Sequence, residues 1–222
     1  AILLVFSIIG LSTAQTATAP DGDGSVGSPY QIASLANLYW IAANSGNWSA
    51  RFIQTADINA AATKTWDDGK GWKPIGNGTT QFRGNYNGNG KVIDSLYINR
   101  PGESNVGLFG YVHSGTVRNL GVTNVSISAV QVGYTGGTKI GAIAGMFYST
   151  GTSISNCYST DSVTGYSNVG GILGTLSWAP LSGCYSTATV SAGMYAGGIV
   201  GDIAAGGVYD CYSRGSISAY AA

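Results

Sequence analysis

The stretch Gly170-Gly-Ile-Leu-Gly174, followed by Cys184-Tyr-Ser186, decides the fold because it recurs along the chain. Cys-Tyr-Ser begins at three positions 27 residues apart, and a glycine-rich apolar segment precedes each of them. A fixed period of this length is typical of one supersecondary unit stacked on copies of itself. The sequence therefore predicts a solenoid, with cysteines at Cys157, Cys184 and Cys211 and apolar segments at Gly141-Ala-Ile-Ala-Gly145, Gly170-Gly-Ile-Leu-Gly174 and Gly197-Gly-Ile-Val-Gly201.

The repeat extends to four copies, although only three carry the cysteine. The copies begin at Asn105, Lys139, Asn168 and Tyr195. The first copy contains about ten extra residues around 129–138, which a solenoid tolerates as a loop on one side. Short strand-like segments with turn residues between them precede these copies, so we expect roughly seven coils in total.

Composition narrows the function classes. Of 222 residues, 35 are glycine and only 9% are charged. This composition is typical of a tightly turning β-rich protein and unusual for a cytosolic enzyme. The ten basic and ten acidic residues are spread along the chain. Without a basic stripe to neutralise phosphates, nucleic acid is a poor candidate partner.

We divide the chain into four parts. Residues 1–14 are apolar and end in small residues, which is typical of an export signal, although a strand retained in the mature protein is the alternative. Residues 15–28 resemble a flexible linker, including Asp21-Gly-Asp-Gly-Ser25, which lacks the later glutamate of a calcium loop. Residues 29–104 form an N-terminal cap and the first coils, and residues 105–222 form the repeats of the same solenoid. Ser34 is the predicted N-cap of a short helix that covers the first coil.

Several segments together resemble the GLUG-repeat proteins. They are Trp72-Lys-Pro-Ile-Gly76, Phe82-Arg-Gly-Asn-Tyr-Asn-Gly-Asn-Gly90 and Gly107-Leu-Phe-Gly110, with the Gly-Gly-Ile-Val-Gly and Cys-Tyr-Ser repeats after them. The resemblance covers nearly everything from residue 22 onward. It implies an all-β fold, a right-handed parallel β-helix (β-solenoid), in secreted or surface-attached bacterial proteins, with no chemistry of its own.

Equivalent residues of stacked coils lie one strand spacing apart, about 4.8 Å. We therefore expect Cys157, Cys184 and Cys211 to form an inward column with Leu120, the equivalent residue of the first copy. Since leucine has no thiol chemistry, this column is interpreted as part of the core. A disulfide between adjacent rungs and a metal site remain as weaker alternatives.

Side chains alternate across a strand, so the tyrosines that follow the cysteines should point outward. Tyr158, Tyr185 and Tyr212 are the candidate binding surface, because aromatic rings bind sugars and anchor protein partners. Packing of the rings on one another is the structural alternative, and we give it more weight.

Carboxylates offer little evidence for catalysis. Asp67 and Asp68 share a loop, with Asp57 and Asp94 nearby in sequence, and a carboxylate pair can act as acid and base on a polysaccharide. In a glycine-flanked loop, however, aspartate usually stabilises the turn. His113, the single histidine, supports no catalytic set. We therefore expect no catalytic, cofactor-binding or metal-binding residues.

These observations predict a non-enzymatic protein, secreted or at the cell surface, that presents a rigid solenoid to glycans or surface proteins. One alternative is a subunit of a self-assembling extracellular filament, a homopolymer in which coils stack head to tail and residues 1–14 act as the donor strand. A second alternative is a polysaccharide lyase or hydrolase that uses Asp67 and Asp68. The apolar run at residues 1–14 is too short to span a bilayer, and no membrane span is expected in the mature chain.

Overall fold

The chain is a parallel β-helix with one short N-terminal α-helix, as a computed structural model shows for residues 15–130 and 137–220. The helix α1 spans Leu35–Ala43, and three 3₁₀ turns span Ser45–Asn47, Ala61–Thr65 and Asp67–Gly69. The strands, in chain order, are β1 Tyr30–Ile32, β2 Arg51–Gln54, β3 Ile58–Asn59, β4 Asn85–Asp94, β5 Tyr97–Asn99, β6 Asn105–Val106, β7 Phe109–His113, β8 Thr116–Ser128, β9 Lys139–Gly141, β10 Ala144–Tyr148, β11 Ile154–Ser155, β12 Tyr158–Gly165, β13 Asn168–Gly170, β14 Leu173–Ser177, β15 Ala179–Ser182, β16 Tyr185–Ser186, β17 Thr189–Ala192, β18 Ala196–Gly197, β19 Val200–Ile203, β20 Gly206–Tyr209, β21 Tyr212–Ser213 and β22 Ile217–Ala219.

One column of parallel strands runs from one end of the described chain to the other. Its order is β1-β2-β4-β8-β11-β15-β20, which corresponds to the expected seven coils. Tyr30, Phe52, Tyr86 and Val117 occupy successive rungs of one inward position in this column, and Ile154 follows them. This sheet is continuous across the boundary between residues 29–104 and the repeats that begin at residue 105, because β4 of the first coils pairs with β8 of the first repeat.

The four repeat copies lie in the predicted register. Two four-stranded parallel sheets, β6-β9-β13-β18 and β7-β10-β14-β19, form two further faces of the solenoid. Val106, Ile140, Val169 and Ala196 are partners on successive rungs, so the four copies align at the residues that the sequence pattern predicts. Most of the 10 extra residues of the first copy lie outside the described residues.

Repeated glycines allow each coil to turn tightly after its first short strand. A Cβ atom at Gly170 would collide with the carbonyl oxygen of Leu173, and one at Gly197 would collide with that of Val200. Because these contacts are to backbone atoms, no rotamer change can relieve them. This explains why the first glycine of these segments, Gly170 or Gly197, cannot carry a side chain.

Helix α1 closes the first coil, as predicted. The Ser34 hydroxyl accepts a hydrogen bond from the Asn37 backbone N–H, which satisfies one of the free donors at the helix start. Leu38 and Ile41 are fully buried in the core that continues through the coils. The Trp48 ring N–H donates to the Ile41 carbonyl at 2.7 Å and secures the end of the helix.

Residues 15–28 do not behave as the predicted flexible linker. The Thr18 N–H donates to the Ala36 carbonyl at 3.1 Å, and the Gln31 N–H donates to the Asp21 carbonyl at 2.8 Å. The Arg51 N–H donates to the Gly24 carbonyl at 2.9 Å, which attaches this segment to β2. Composition indicated a linker because glycine and proline serve equally well in an ordered turn, and here backbone hydrogen bonds fix the turn.

Residues 1–14, with the export-signal and donor-strand interpretations that fall on them, lie outside the described residues. None of the helices in the described ranges has the length and apolar character needed to cross a bilayer.

Candidate functional site

The three cysteines occupy neighbouring rungs with free thiols. Cys157 and Cys184 are buried and Cys211 is half-buried. The Cys157 backbone N–H points at the Cys184 sulfur at 3.4 Å, and the Cys184 N–H points at the Cys211 sulfur at 3.3 Å. Leu120 precedes them in the same column, because its neighbour Gly121 is the strand partner of Tyr158. Burial raises the pKa of the Cys157 thiol well above its usual value, so this thiol stays protonated.

Tyr158, Tyr185 and Tyr212 form the predicted outward column, which we call the tyrosine ladder. The rings of Tyr158 and Tyr185 are 4.8 Å apart between centroids, with an interplanar angle of 2°, and those of Tyr185 and Tyr212 are 5.3 Å apart at 6°. The first two side chains are half-buried and Tyr212 is 50% exposed. The regular strand register therefore gives a continuous stack of parallel rings on the outside of the solenoid.

The ladder presents ring edges and hydroxyl groups more than ring faces. Gly121 lies beneath the Tyr158 ring, where a Cβ atom would clash with that ring. Each following ring stacks on the one before it, and the Arg214 guanidinium lies 5.4 Å from the centroid of Tyr212. A sugar that stacks flat on Tyr158 or Tyr185 would have to displace a neighbouring ring, and one that stacks on Tyr212 would compete with the Arg214 guanidinium. Burial and the adjacent tyrosines raise the pKa of Tyr185, so its hydroxyl remains a hydrogen-bond donor at neutral pH.

A serine column that the sequence analysis missed lies beside the cysteines. The Ser159 hydroxyl donates to the Gly171 carbonyl at 2.6 Å and shares a hydrogen bond with the Ser186 hydroxyl at 2.9 Å. Ser213, on the next rung, has a buried hydroxyl oxygen with no hydrogen-bond partner. The third residue of Cys-Tyr-Ser gave the signal, since alternation places it on the same side as the cysteine.

A corner column was also missed. The residues before Leu120 and the three cysteines are Asn119, Asn156, Gly183 and Asp210, with φ of 53°, 53°, 61° and 51°. Only glycine, and to a lesser degree asparagine and aspartate, adopts this left-handed conformation readily. The Asn156 side-chain amide also donates a hydrogen bond to the Asn119 side-chain oxygen at 3.2 Å, which links two neighbouring residues of the corner column. The restricted choice of residue at this position was visible in the sequence.

Three of the four candidate carboxylates, Asp57, Asp67 and Asp94, have structural partners. Asp67 forms an ion pair of 2.7 Å with Arg100, whose side chain is only 4% exposed. The same guanidinium donates to the Trp72 and Gly71 carbonyls and to Glu103, so its buried charge is compensated. Asp57 accepts a hydrogen bond from the Val92 N–H at 2.9 Å. This arrangement does not favour the polysaccharide lyase or hydrolase hypothesis, because Asp67 and Glu103 both serve to neutralise the buried charge of Arg100.

His113 lies on the surface in a small polar cluster. Its Nδ1 atom is 3.0 Å from a guanidinium nitrogen of Arg83, and its ring stacks on Tyr148 at 4.9 Å between centroids. Within the described ranges, no three histidine, cysteine, aspartate or glutamate side chains come together as metal ligands.

Comparison with known proteins supports the architecture more than any activity. No family model matches the chain, so the GLUG resemblance has no such support. Halomucin from Haloquadratum walsbyi is 40% identical over 160 residues, which are 69% of this chain and 2% of that protein. A "Putative Gly-rich membrane protein" from Evansella cellulosilytica is 32% identical over 125 residues, 55% of this chain and 14% of that protein. The chain thus spans only a small part of either relative.

The fold also matches a crystal structure described as a "putative immunoglobulin A1 protease" from Bacteroides ovatus. The match has a TM-score of 0.70 at 28% identity and covers 89% of this chain and 60% of that chain. It supports the parallel β-helix. None of the three comparisons assigns a chemical role to a residue of this chain.

Proposed function

We propose that this chain is a rigid β-helix segment of a secreted or cell-surface protein of the GLUG-repeat type, and that its role is adhesive and not enzymatic. The observation that carries the proposal is the tyrosine ladder, a column of parallel outward rings whose edges and hydroxyl groups are accessible. The surface location is supported by the similarity to halomucin and to a protein named as a membrane protein. The solenoid keeps the spacing of the hydroxyl groups fixed, because each ring is held by strand pairing.

The ladder would act through hydrogen bonds to glycans or surface proteins. Phenolic hydroxyl groups both donate and accept hydrogen bonds, and neighbouring ones repeat at about the strand spacing of 4.8 Å. A rigid row of such groups can bind an extended ligand that has repeated polar groups. Little side-chain entropy is lost on binding, because the rings are already held in place. Flat stacking of sugars is not favoured, because the rings of Tyr158 and Tyr185 are covered by their neighbours and the Arg214 guanidinium lies near that of Tyr212.

The experiment compares the triple variant Tyr158→Phe, Tyr185→Phe, Tyr212→Phe with the parent chain on a glycan array and on intact cells. Phenylalanine keeps the ring stack and removes the hydroxyl groups, so the fold and melting temperature should stay nearly unchanged. We expect binding to be lost in the variant. Unchanged binding, or no binding by the parent chain to any glycan or cell surface, would contradict the proposal.

Self-assembly is a second candidate, favoured by the exposed apolar side chains of the last described rung. Val208 and Ile217 are 36% and 51% exposed, whereas their partners on the preceding rung are fully buried. The unpartnered Ser213 hydroxyl lies on the same rung. We propose that residues 1–14 of a second copy add there as a strand, since this segment is long and apolar enough to cover the rung. Direct head-to-tail stacking of coils is not favoured, because α1 covers the first coil.

The measurement is the oligomeric state of the full chain and of a chain that lacks residues 1–14, by light scattering after size exclusion. Filaments or oligomers of the full chain that vanish on deletion support the donor strand. A monomeric full chain, or oligomers that survive deletion, would contradict it. Mass spectrometry of the secreted protein adds a direct check, because cleavage after Ala14 removes the donor.

A further inference from the structure

A cavity of about 350 Å³ lies on the outer face of the coils that contain β2, β4 and β8, and β8 is also the strand partner of β12, which carries Tyr158. The outward residues of β2, β4 and β8 form its floor. Val26 and Pro29, from the ordered segment before β1, form its wall. The lining residues are Val26, Pro29, Arg51, Phe52, Ile53, Asn85, Tyr86, Asn87, Thr116 and Arg118.

Strand register sets the order of the polar groups in this cavity. Arg51, Asn85 and Thr116 are partners on three successive rungs, and Ile53, Asn87 and Arg118 are partners two residues further along the same strands. The two arginines therefore lie at opposite corners of the floor, with two asparagines between them. Two rung spacings separate their strands by roughly 10 Å.

The cavity is rich in donors and has no acid of its own. Its ten described lining residues include no aspartate or glutamate. Within residues 15–130 and 137–220, both ion pairs belong to Arg100, and neither the Arg51 nor the Arg118 guanidinium has a hydrogen-bond partner. The Asn87 side-chain oxygen already accepts hydrogen bonds from the Asn89 N–H at 3.0 Å and from the Asn119 amide at 3.1 Å. These bonds orient the Asn87 amide and leave its NH₂ group as a donor.

This cavity matches a ligand that carries several anionic groups. It offers two guanidinium groups, two amides and one hydroxyl group, and none of its described lining residues carries a carboxylate that would compete for them. Arginine binds carboxylates through paired, charge-assisted hydrogen bonds. The two arginines start from strands two rungs apart, so a ligand with at least two carboxylates along an extended chain can place one at each guanidinium. The amides between them suit the hydroxyl groups of sugar rings.

We infer that this cavity is a binding site for a carboxylate-bearing polysaccharide, such as a chain of uronic acid residues. The site is separate from the proposed adhesive role of the tyrosine ladder, and neither depends on the other. Each arginine contributes one charge-assisted contact, and the field between them is strongest at low ionic strength.

The test uses the full chain and defined oligogalacturonates, with binding measured by calorimetry. Arg51→Gln and Arg118→Gln should each raise the dissociation constant about tenfold, the effect of losing one charged hydrogen-bonding contact. Lys64→Gln is the matched control, since it removes the same charge from an exposed residue outside the cavity and should change nothing. High salt should weaken binding to the parent chain.

Circular dichroism and the melting temperature establish that both arginine variants fold. Equal binding of the parent chain and the folded double variant would overturn the inference, as would equal binding of uncharged galactose oligomers. A dextran sulfate that binds as tightly as the uronate oligomer would overturn the assignment to carboxylates. The triple tyrosine-to-phenylalanine variant should keep its uronate affinity, which separates this site from the tyrosine ladder.

Discussion

In the coils near the N-terminal end, Phe52, Phe82 and Phe109 are almost completely buried, with centroids of neighbouring rings 5.8 and 4.8 Å apart. In the last rung, Val208 and Ile217 occupy equally regular inward positions and are 36% and 51% exposed. The first region has α1 above it, and the last rung has nothing above it among the described residues. An inward position in the repeat is therefore not enough to bury a side chain in a solenoid, because burial also requires a neighbouring coil that covers it.

The largest expected difference between the two regions is in aromatic packing. Phe82→Ala should lower the free energy of unfolding by about 3–5 kcal/mol, because it leaves a cavity between Phe52 and Phe109. Tyr212→Ala, on the open rung, should cost less than about 1 kcal/mol. Urea denaturation measures both. Similar losses for the two variants would show that the ends are equally well packed.

One inward position of the repeat carries isoleucine both in a buried rung and in the last described rung, so the same substitution can be compared in the two environments. Ile127, Val163, Val190 and Ile217 are partners on four successive rungs, and Ile127 is 2% exposed against 51% for Ile217. Ile127→Ala should cost about 2–5 kcal/mol, and Ile217→Ala should cost about 1 kcal/mol or less. Chemical denaturation of both variants gives the comparison. If Ile217→Ala costs as much as Ile127→Ala, the last rung is covered in solution.

The helical cap should have a smaller effect. Ser34→Ala removes the acceptor for the Asn37 N–H and should cost about 1 kcal/mol, while Ser34→Gly should cost only a few tenths. Thermal melting monitored by circular dichroism resolves this order. An alanine variant as stable as the parent chain would mean that the hydroxyl does not stabilise α1.

Thiol reactivity should distinguish the rungs with no change in sequence. Burial raises the pKa of Cys157, while Cys211 is half-buried on the open rung, with a pKa that burial raises as well. We expect iodoacetamide at pH 8 to modify Cys211 in the native protein and to modify Cys157 only after unfolding. Peptide mapping by mass spectrometry reports each site. Rapid labelling of native Cys157 would contradict the inward column.

The repeat region was the most predictable part of the molecule. The 27-residue spacing placed Cys157 beside Cys184 and Tyr158 beside Tyr185, because register in a parallel β-helix follows directly from the length of a coil. The serine column and the corner column recur at the same interval, so their positions also follow from the repeat, whereas their hydrogen bonds and backbone conformation emerge only in the fold. The prediction of binding at the tyrosines remains untested.

The first coils were less predictable. Their strands lack a fixed period, so nothing in the sequence pairs Arg51 with Asn85 or brings both near Arg118. Likewise, Asp67 looked like a candidate acid beside Asp68, and only the fold shows that it neutralises the buried charge of Arg100. Contacts between residues about 30 positions apart depend on how irregular loops close, and local composition does not encode that.

The sequence by itself determined the solenoid, its period, the inward and outward columns and the N-cap of α1, because each follows from local alternation or from repetition at a fixed interval. The tertiary structure decided how deeply each rung is buried, the docking of residues 15–28 and the arginine-lined cavity. These features depend on which coil or loop lies next in space, and that is a property of the assembled chain.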